Sequence, residues 1–273
     1  VRFLSDSMAR VTVKPKDGFR EPKTWSIAPC TSKQAQDAPW QGRDREDLSA
    51  FTPPPTHFET KDGLARVSSP RLSVELHDQP LRLVWHWQGG GQAHVVASDR
   101  WTSAYLSDSR TGALRHYIKR DDTERFYGLG DKTGPLNLSG RRLRTLAMDS
   151  LGYDPEHGDP LYKHWPFVLS RTPQGQWVGI YYDTLATCTF DFGCEHDNYH
   201  DFYRYVEIDD GDLDYYLMVG DTPAEVIAQF VQLIGGTHLP PRWSLGYAQT
   251  AMGLADAPDA QHQLSHFAII LKE

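Results

Sequence analysis

Short stretches of alternating apolar and polar residues, each cut off by a turn cluster, limit what this chain can fold into. Five of them follow one another at residues 165–170, 176–183, 187–192, 202–208 and 213–219, with Pro173-Gln174-Gly175 and Asp209-Asp210-Gly211 between neighbours. A period of two puts successive side chains on opposite faces of a strand. Segments this short, punctuated this regularly, predict antiparallel strands packed as a sandwich. The pattern recurs upstream in Arg71-Leu72-Ser73-Val74-Glu75-Leu76 and from Leu81 to Gln88. Gly89-Gly90-Gly91 then predicts a tight reversal into a strand at 93–97, because glycine reaches positive φ without strain. A phosphate cradle would need a following helix opened by GK[ST], and the sequence has none there. Residues 105–114 add a strand and turn, and residues 1–15 alternate up to a turn cluster, Lys14 to Gly18. Residues 16–60, with Pro53-Pro54-Pro55, read as a connector anchored by Trp25, Trp40 and Phe51. Residues 1–220 are therefore expected to form one mainly β domain of two packed antiparallel sheets.

The clearest helix is expected at 223–234. Thr222 is a capping residue, Pro223 sits where its missing N–H does no harm, and Glu225 completes a capping box. Val226, Ile227, Phe230, Leu233 and Ile234 share one face, and Gly235-Gly236 ends the run. Leu239-Pro240-Pro241 reads as a connector, so 221–241 is assigned to a linker between domains. Residues 243–251 then read as a strand and 256–271 as a helix with Leu264, Phe267, Ala268 and Leu271 apolar, giving one β/α unit at 242–273.

Residues 124–167 are different in kind. Glycines and prolines are spread so densely through them that no long helix or central strand fits. Asp131, Lys132, Arg141, Arg142, Arg144, Asp149, Asp154 and Asp159 alternate there with Phe126, Tyr127, Tyr153, Tyr162 and Trp165. Flat apolar rings beside carboxylates and guanidinium groups suit a polyhydroxylated ligand, and they equally suit a structural loop of satisfied ion pairs.

The blocks E-R-F-Y-G-L-G-D-K-T-G-P-L-N, M-D-S-L-G-Y-D-P and D-P-L-Y-K-H-W-P-F resemble the N-terminal region of the α-glucosidases of glycoside hydrolase family 31. Further on, G-D-L-D-Y-Y-L-M-V-G-D-T-P-A-E-V and L-P-P-R-W-S-L-G-Y resemble that family's approach to its catalytic barrel. The resemblance implies a galactose-mutarotase-like sandwich, a linker helix, and at 242–273 the first unit of a (β/α)₈ barrel that the chain leaves truncated. It implies a retaining hydrolase acting on the O-glycosidic bonds of α-glucosides, with no cofactor. The family's two catalytic aspartates sit on later barrel strands and match nothing here, so these residues alone are expected to be inactive. Asp149 matches a loop aspartate that reaches the sugar, although its context, Leu146-Ala147-Met148-Asp149, departs from the family's W-N-T-D. The loop around Met252-Gly253-Leu254 would line the same pocket.

Composition excludes other classes. A net charge of −8 and a pI near 5.8 do not provide the basic footprint that phosphates require, so no nucleic-acid partner is expected. No apolar run is long enough to span a bilayer. No signal-peptide pattern opens the chain, which favours the cytoplasm, and a homo-oligomer through barrel or sandwich is possible. Three cysteines, Cys30, Cys188 and Cys194, do not make a disulfide scaffold, and Cys194, His196 and His200 fit no metal spacing. Asn137-Leu138-Ser139 is a formal glycosylation sequon. Asp212 and Asp214, two apart on one strand, form a tempting acid pair that the resemblance makes structural. Two other readings compete: a non-catalytic carbohydrate-binding sandwich, and an epimerase needing a histidine acid and a glutamate base, for which His86, His94 and His116 are available.

Overall fold

A computed structural model describes residues 1–13, 18–29, 41–61, 63–89, 91–236, 239–248 and 252–271. Cys30, Trp40, the turn at 14–17, Gly90 and residues 249–251 of the expected barrel strand lie outside them. The chain divides into two compact units, Val1–Gly236 and Thr237–Glu273.

In the first unit the strands begin with β1 (Arg2–Ser5), β2 (Met8–Val13), β3 (Lys23–Thr24) and β4 (Arg43–Asp44). Next come β5 (His57–Lys61), β6 (Leu64–Ser68), β7 (Leu72–Asp78), β8 (Leu81–Gly89) and β9 (Gln92–Ser98). β10 (Tyr105–Ser107), β11 (Leu114–Lys119), β12 (Arg125–Gly128) and β13 (Arg142–Thr145) follow. The last are β14 (Phe167–Arg171), β15 (Trp177–Tyr182), β16 (Cys188–Asp191), β17 (Tyr203–Ile208) and β18 (Leu213–Gly220). They build a six-stranded sheet β1-β2-β18-β15-β14-β12, five-stranded sheets β10-β11-β17-β16-β13 and β5-β6-β7-β8-β9, and the small pair β3-β4.

The sequence led us to expect two sheets; the strands pair into three plus the small pair. All share antiparallel pairing, and a single bridge between Asp99 and Ile118 links the two five-stranded sheets. One core joins them: Trp85 and Trp87 of β8, Phe190 and Val206 of β16 and β17, and Ile180 and Leu217 of the six-stranded sheet. The link is polar inside. Asp99 accepts from the Leu83 amide at 2.8 Å and meets His116 Nε2 at 2.9 Å, while the opposite ring nitrogen of His116 is 3.0 Å from the Tyr182 hydroxyl. Buried polar groups of this kind persist only when each has a partner.

β18 is buried at all eight positions, so both of its faces are covered. Leu213, Tyr215, Leu217 and Val219 enter the sandwich core, while Tyr216 and Met218 face a second core under helix α1 (Pro223–Ile234). α1 has the bounds its apolar periodicity predicts. Thr222 Oγ1 accepts from the Glu225 amide at 3.3 Å, and Glu225 Oε2 returns a bond to the amide of Asp221 at 2.9 Å, one residue earlier than a standard capping box would place it. Val226, Phe230 and Leu233 pack on Phe167, Leu169, Tyr181 and Met218. A helix assigned from sequence to a linker therefore lies on the sandwich, because the sheet's second face offers it Phe167, Leu169, Tyr181 and Met218 to cover.

Among those faces runs a buried ion network that the sequence does not announce. Asp214 accepts from Arg10 Nε at 2.8 Å and Nη2 at 2.6 Å, and from Arg45 Nη1 at 2.9 Å. Arg45 Nη1 also reaches Asp183 at 2.5 Å, and Thr24 Oγ1 donates to Asp183 at 2.9 Å. Burial, with the neighbouring Asp214 charge adding to it and Arg45 opposing it, pushes Asp183 up from 3.8 to about 6. Between those values the folded state holds a proton that the unfolded state has released, so this group's contribution to stability falls as pH rises from about 4 to 6 and is level above. The fall is on the order of 3 kcal/mol. Urea melts of Asp183→Asn across that range should lack this component of the pH slope; an unchanged slope would contradict it.

The second unit corrects one expectation. Where residues 243–251 were expected to be a strand, Arg242–Leu245 form a 3₁₀ turn, entered from Pro241 at φ −62° with the Ser244 amide bonded to the Pro241 carbonyl at 2.9 Å. Proline fixes a φ compatible with the first residue of a helical turn, and this overrides the alternating pattern. Helices α2 (Met252–Ala255) and α3 (Ala260–Ile270) follow, the latter inside the range expected to be helical.

Candidate functional site

The Gly- and Pro-rich region holds two short strands that sequence reading takes for loop, β12 and β13. β12 stops at Gly128, whose φ is 110° and where a side chain would collide with the Phe167 carbonyl oxygen of β14. Leu129 and Gly130 continue with φ of 61° and 70°, and Leu129 is fully buried despite that unfavourable backbone. The chain is thereby turned out of the six-stranded sheet and goes on to join a five-stranded one as β13.

After β13, residues 146–166 form a surface excursion tied down from beneath. Lys132 Nζ, nearly buried, binds Asp159 Oδ1 at 3.0 Å and the Arg144 carbonyl, while Asp159 Oδ2 accepts from the Arg144 amide at 2.6 Å. Burial lowers the Lys132 pKa, and the Asp159 charge opposes that shift. Thr133 Oγ1 donates to the Gly158 carbonyl at 2.6 Å. Ser150 Oγ donates to the Pro160 carbonyl at 2.9 Å, and the Tyr162 hydroxyl donates to the Ser150 carbonyl at 3.1 Å. At the far end His164 lies between Thr145, 2.8 Å away, and the Thr184 carbonyl at 2.9 Å. Ser150 is buried and clamped on both sides, so the neighbouring Asp149 is held at the loop surface by a fixed backbone.

Asp149 itself is exposed, and among the described residues no donor binds its carboxylate. Around it Met148, Leu151 and Tyr153 are also exposed, and Tyr153 meets Tyr162 edge to face at 6.4 Å. A free carboxylate beside rings and aliphatic groups can accept hydrogen bonds from sugar hydroxyls while the rings cover C–H faces. Met252, the other residue expected at the site, begins α2 in the second unit and is exposed.

Several other sequence candidates turn out to be structural. Asp214 belongs to the ion network, and Asp212 Oδ2 accepts from the Glu21 amide at 3.0 Å. His116 is buried beneath Tyr105 and Tyr215, stacked at 4.8 and 4.9 Å, so it cannot reach a solute. Asp197 holds His200 at 2.8 Å, and among the described residues no group of three or more His, Cys, Asp or Glu could hold a metal. Cys188 and Cys194 are both free. Asn137 Oδ1 is used locally, accepting from Ser139 Oγ at 2.8 Å. Among the described residues no helix is long and apolar enough to cross a membrane.

The first unit is thus an antiparallel sandwich with a helix on its outer face and a tethered, carboxylate-bearing loop. Residues 1–191 match the family described as glycosyl hydrolase 31 N-terminal galactose mutarotase-like domain, and the chain belongs to glycoside hydrolase family 31. Among curated proteins it is 35% identical over 184 residues to alpha-glucosidase 2 of Bacillus thermoamyloliquefaciens, covering 67% of this chain and 22% of that protein. It is 26% identical over 196 residues to alpha-xylosidase XylQ of Lactiplantibacillus pentosus, covering 71% and 24%. The chain thus spans about a quarter or less of the length of these relatives. The fold is shared with a GH31 dextranase of Flavobacterium johnsoniae solved with glucose, with a TM-score of 0.69 and 24% identity over 89% of this chain and 26% of that one. It is also shared with the alpha-1,4-glucan lyase of Gracilariopsis lemaneiformis, with a TM-score of 0.64 and 16% identity over 86% and 26%.

Proposed function

We propose that this chain is the N-terminal portion of a retaining α-glucosidase-type hydrolase that cleaves the O-glycosidic bonds of α-glucosides and oligosaccharides. What carries the reading is the family match across residues 1–191, together with the 35% identity to an α-glucosidase. In this reading the reaction's two carboxyl groups belong to a barrel outside these residues. They stand about 5–5.5 Å apart: one attacks the anomeric carbon, and the other protonates the leaving oxygen and then activates water. Residues 1–220 serve as the sandwich domain, 221–241 as the helix that packs on it and the connector that follows, and 242–273 as the approach to the barrel. The tethered loop presents Asp149 to the sugar. The enzyme acts in the cytoplasm and can form homo-oligomers through barrel or sandwich.

Two measurements test this. The 273-residue chain alone should turn over no chromogenic α-glucoside, and turnover would overturn the reading. In the full-length enzyme, Asp149→Ala removes a charged acceptor and should lower kcat/KM about 10- to 100-fold. Unchanged kinetics would remove Asp149 from the site.

A further inference from the structure

Strands β7, β8, β9, β11 and β17 and the β14–β15 turn line an open cleft of about 590 Å³. Its lining contains a buried cation with an unbonded donor. Arg204 is only 5% exposed, yet among the described residues no carboxylate lies within ion-pair distance of it, and its Nε has no hydrogen-bond partner. It rests on the ring of Phe126, 5.2 Å from the centroid. A buried guanidinium left this way is costly unless an acceptor arrives from outside. Beside it Glu124 is buried as well, and burial pushes its carboxyl pKa up while the Arg204 charge opposes the shift. From β8 the partly exposed His86 also lines the cleft; its Nε2 is 3.3 Å from Glu75 Oε1 but out of hydrogen-bond geometry, so that nitrogen has no bonded partner.

The lining decides which ligand fits. Glu75, Asp121 and Glu124 stand against Arg82, Lys119 and Arg204, three charges of each sign. An anion or a cation gains nothing net from such a wall, whereas a neutral molecule whose groups both donate and accept can use every member of it. Val84, Val96, Ala97 and Ile118 supply aliphatic surface between the polar groups. The space suits one or two hexose rings. We infer that this cleft is a binding site for a neutral mono- or disaccharide, held by Arg204, Glu124 and His86, that shares no residue with the Asp149 loop. Its existence does not depend on the hydrolase reading of that loop.

The test is calorimetric titration of the 273-residue protein with glucose and with maltose. Saturable binding of at least one sugar is expected, weakened about tenfold or more in Arg204→Met. Val95→Trp, at the half-exposed mouth of the cleft, should block binding without touching the core, and keeps the test decisive if Arg204→Met does not fold. No binding of either sugar, binding indifferent to Val95→Trp, or displacement of the sugar by inorganic phosphate would each overturn the assignment.

Discussion

Asp214→Ala is expected to lower the free energy of unfolding by about 3–5 kcal/mol, a large share of what holds most domains together. The carboxylate is fully buried and accepts from Arg10, Arg45 and Thr12, the last at 3.1 Å. Without it, two buried guanidinium groups face the single carboxylate of Asp183. Among the described residues Arg10 would keep the Arg45 carbonyl, 2.5 Å from its Nη1, and the aromatic faces of Phe19 and Tyr216. The loss comes from stranding charge, so a variant that removes the charges together should do less harm than Asp214→Ala alone. Urea denaturation of Asp214→Ala and of Arg10→Met/Asp214→Leu distinguishes the cases. A single-variant loss below about 1 kcal/mol would show that water reaches the network and screens it.

The second large effect is Phe230→Ala, also about 3–5 kcal/mol. Phe230 stacks on Phe167 with centroids 4.1 Å apart and planes 10° from parallel, and lies 5.3 Å from Tyr181 and 6.0 Å from Trp165. α1 has twelve residues, too few to be stable alone in water, so its helicity rests on this contact. Loss of the ring should detach the helix before the sandwich unfolds. Amide exchange would then be fast in α1 while β15 and β18 stay protected; uniform protection would mean that Val226 and Leu233 suffice.

What the sequence disclosed and what it concealed follow from the range of the forces involved. Strands such as β8 and β17 carry their own alternation, and α1 carries its own cap and stripe, so each is readable in a window of a dozen residues. β12 and β13 are four residues each inside a run of turn formers, and pairing with β14 and β16 rather than local preference makes them strands. At 242–245 the error went the other way, with a local alternation overruled by the prolines before it. The ion network was invisible because Arg10 and Asp214 are 204 residues apart and each looks like a surface charge. The candidate site divides similarly. Asp149 could be picked out by motif, whereas its support by Ser150 and Tyr162, and the cleft around Arg204, arise only when distant strands meet.

The double coverage of β18 also bears on where this protein can be cut and recombined. A chimera joined after Gly220 would keep every strand yet leave Phe167, Leu169, Tyr181 and Met218 bare, an apolar sheet face of the sort that drives self-association. A junction placed after Gly236 carries the helix along with the sheet it shields. The transferable module is therefore the sandwich with its helical cover, and exchange of accessory domains between relatives should respect that seam.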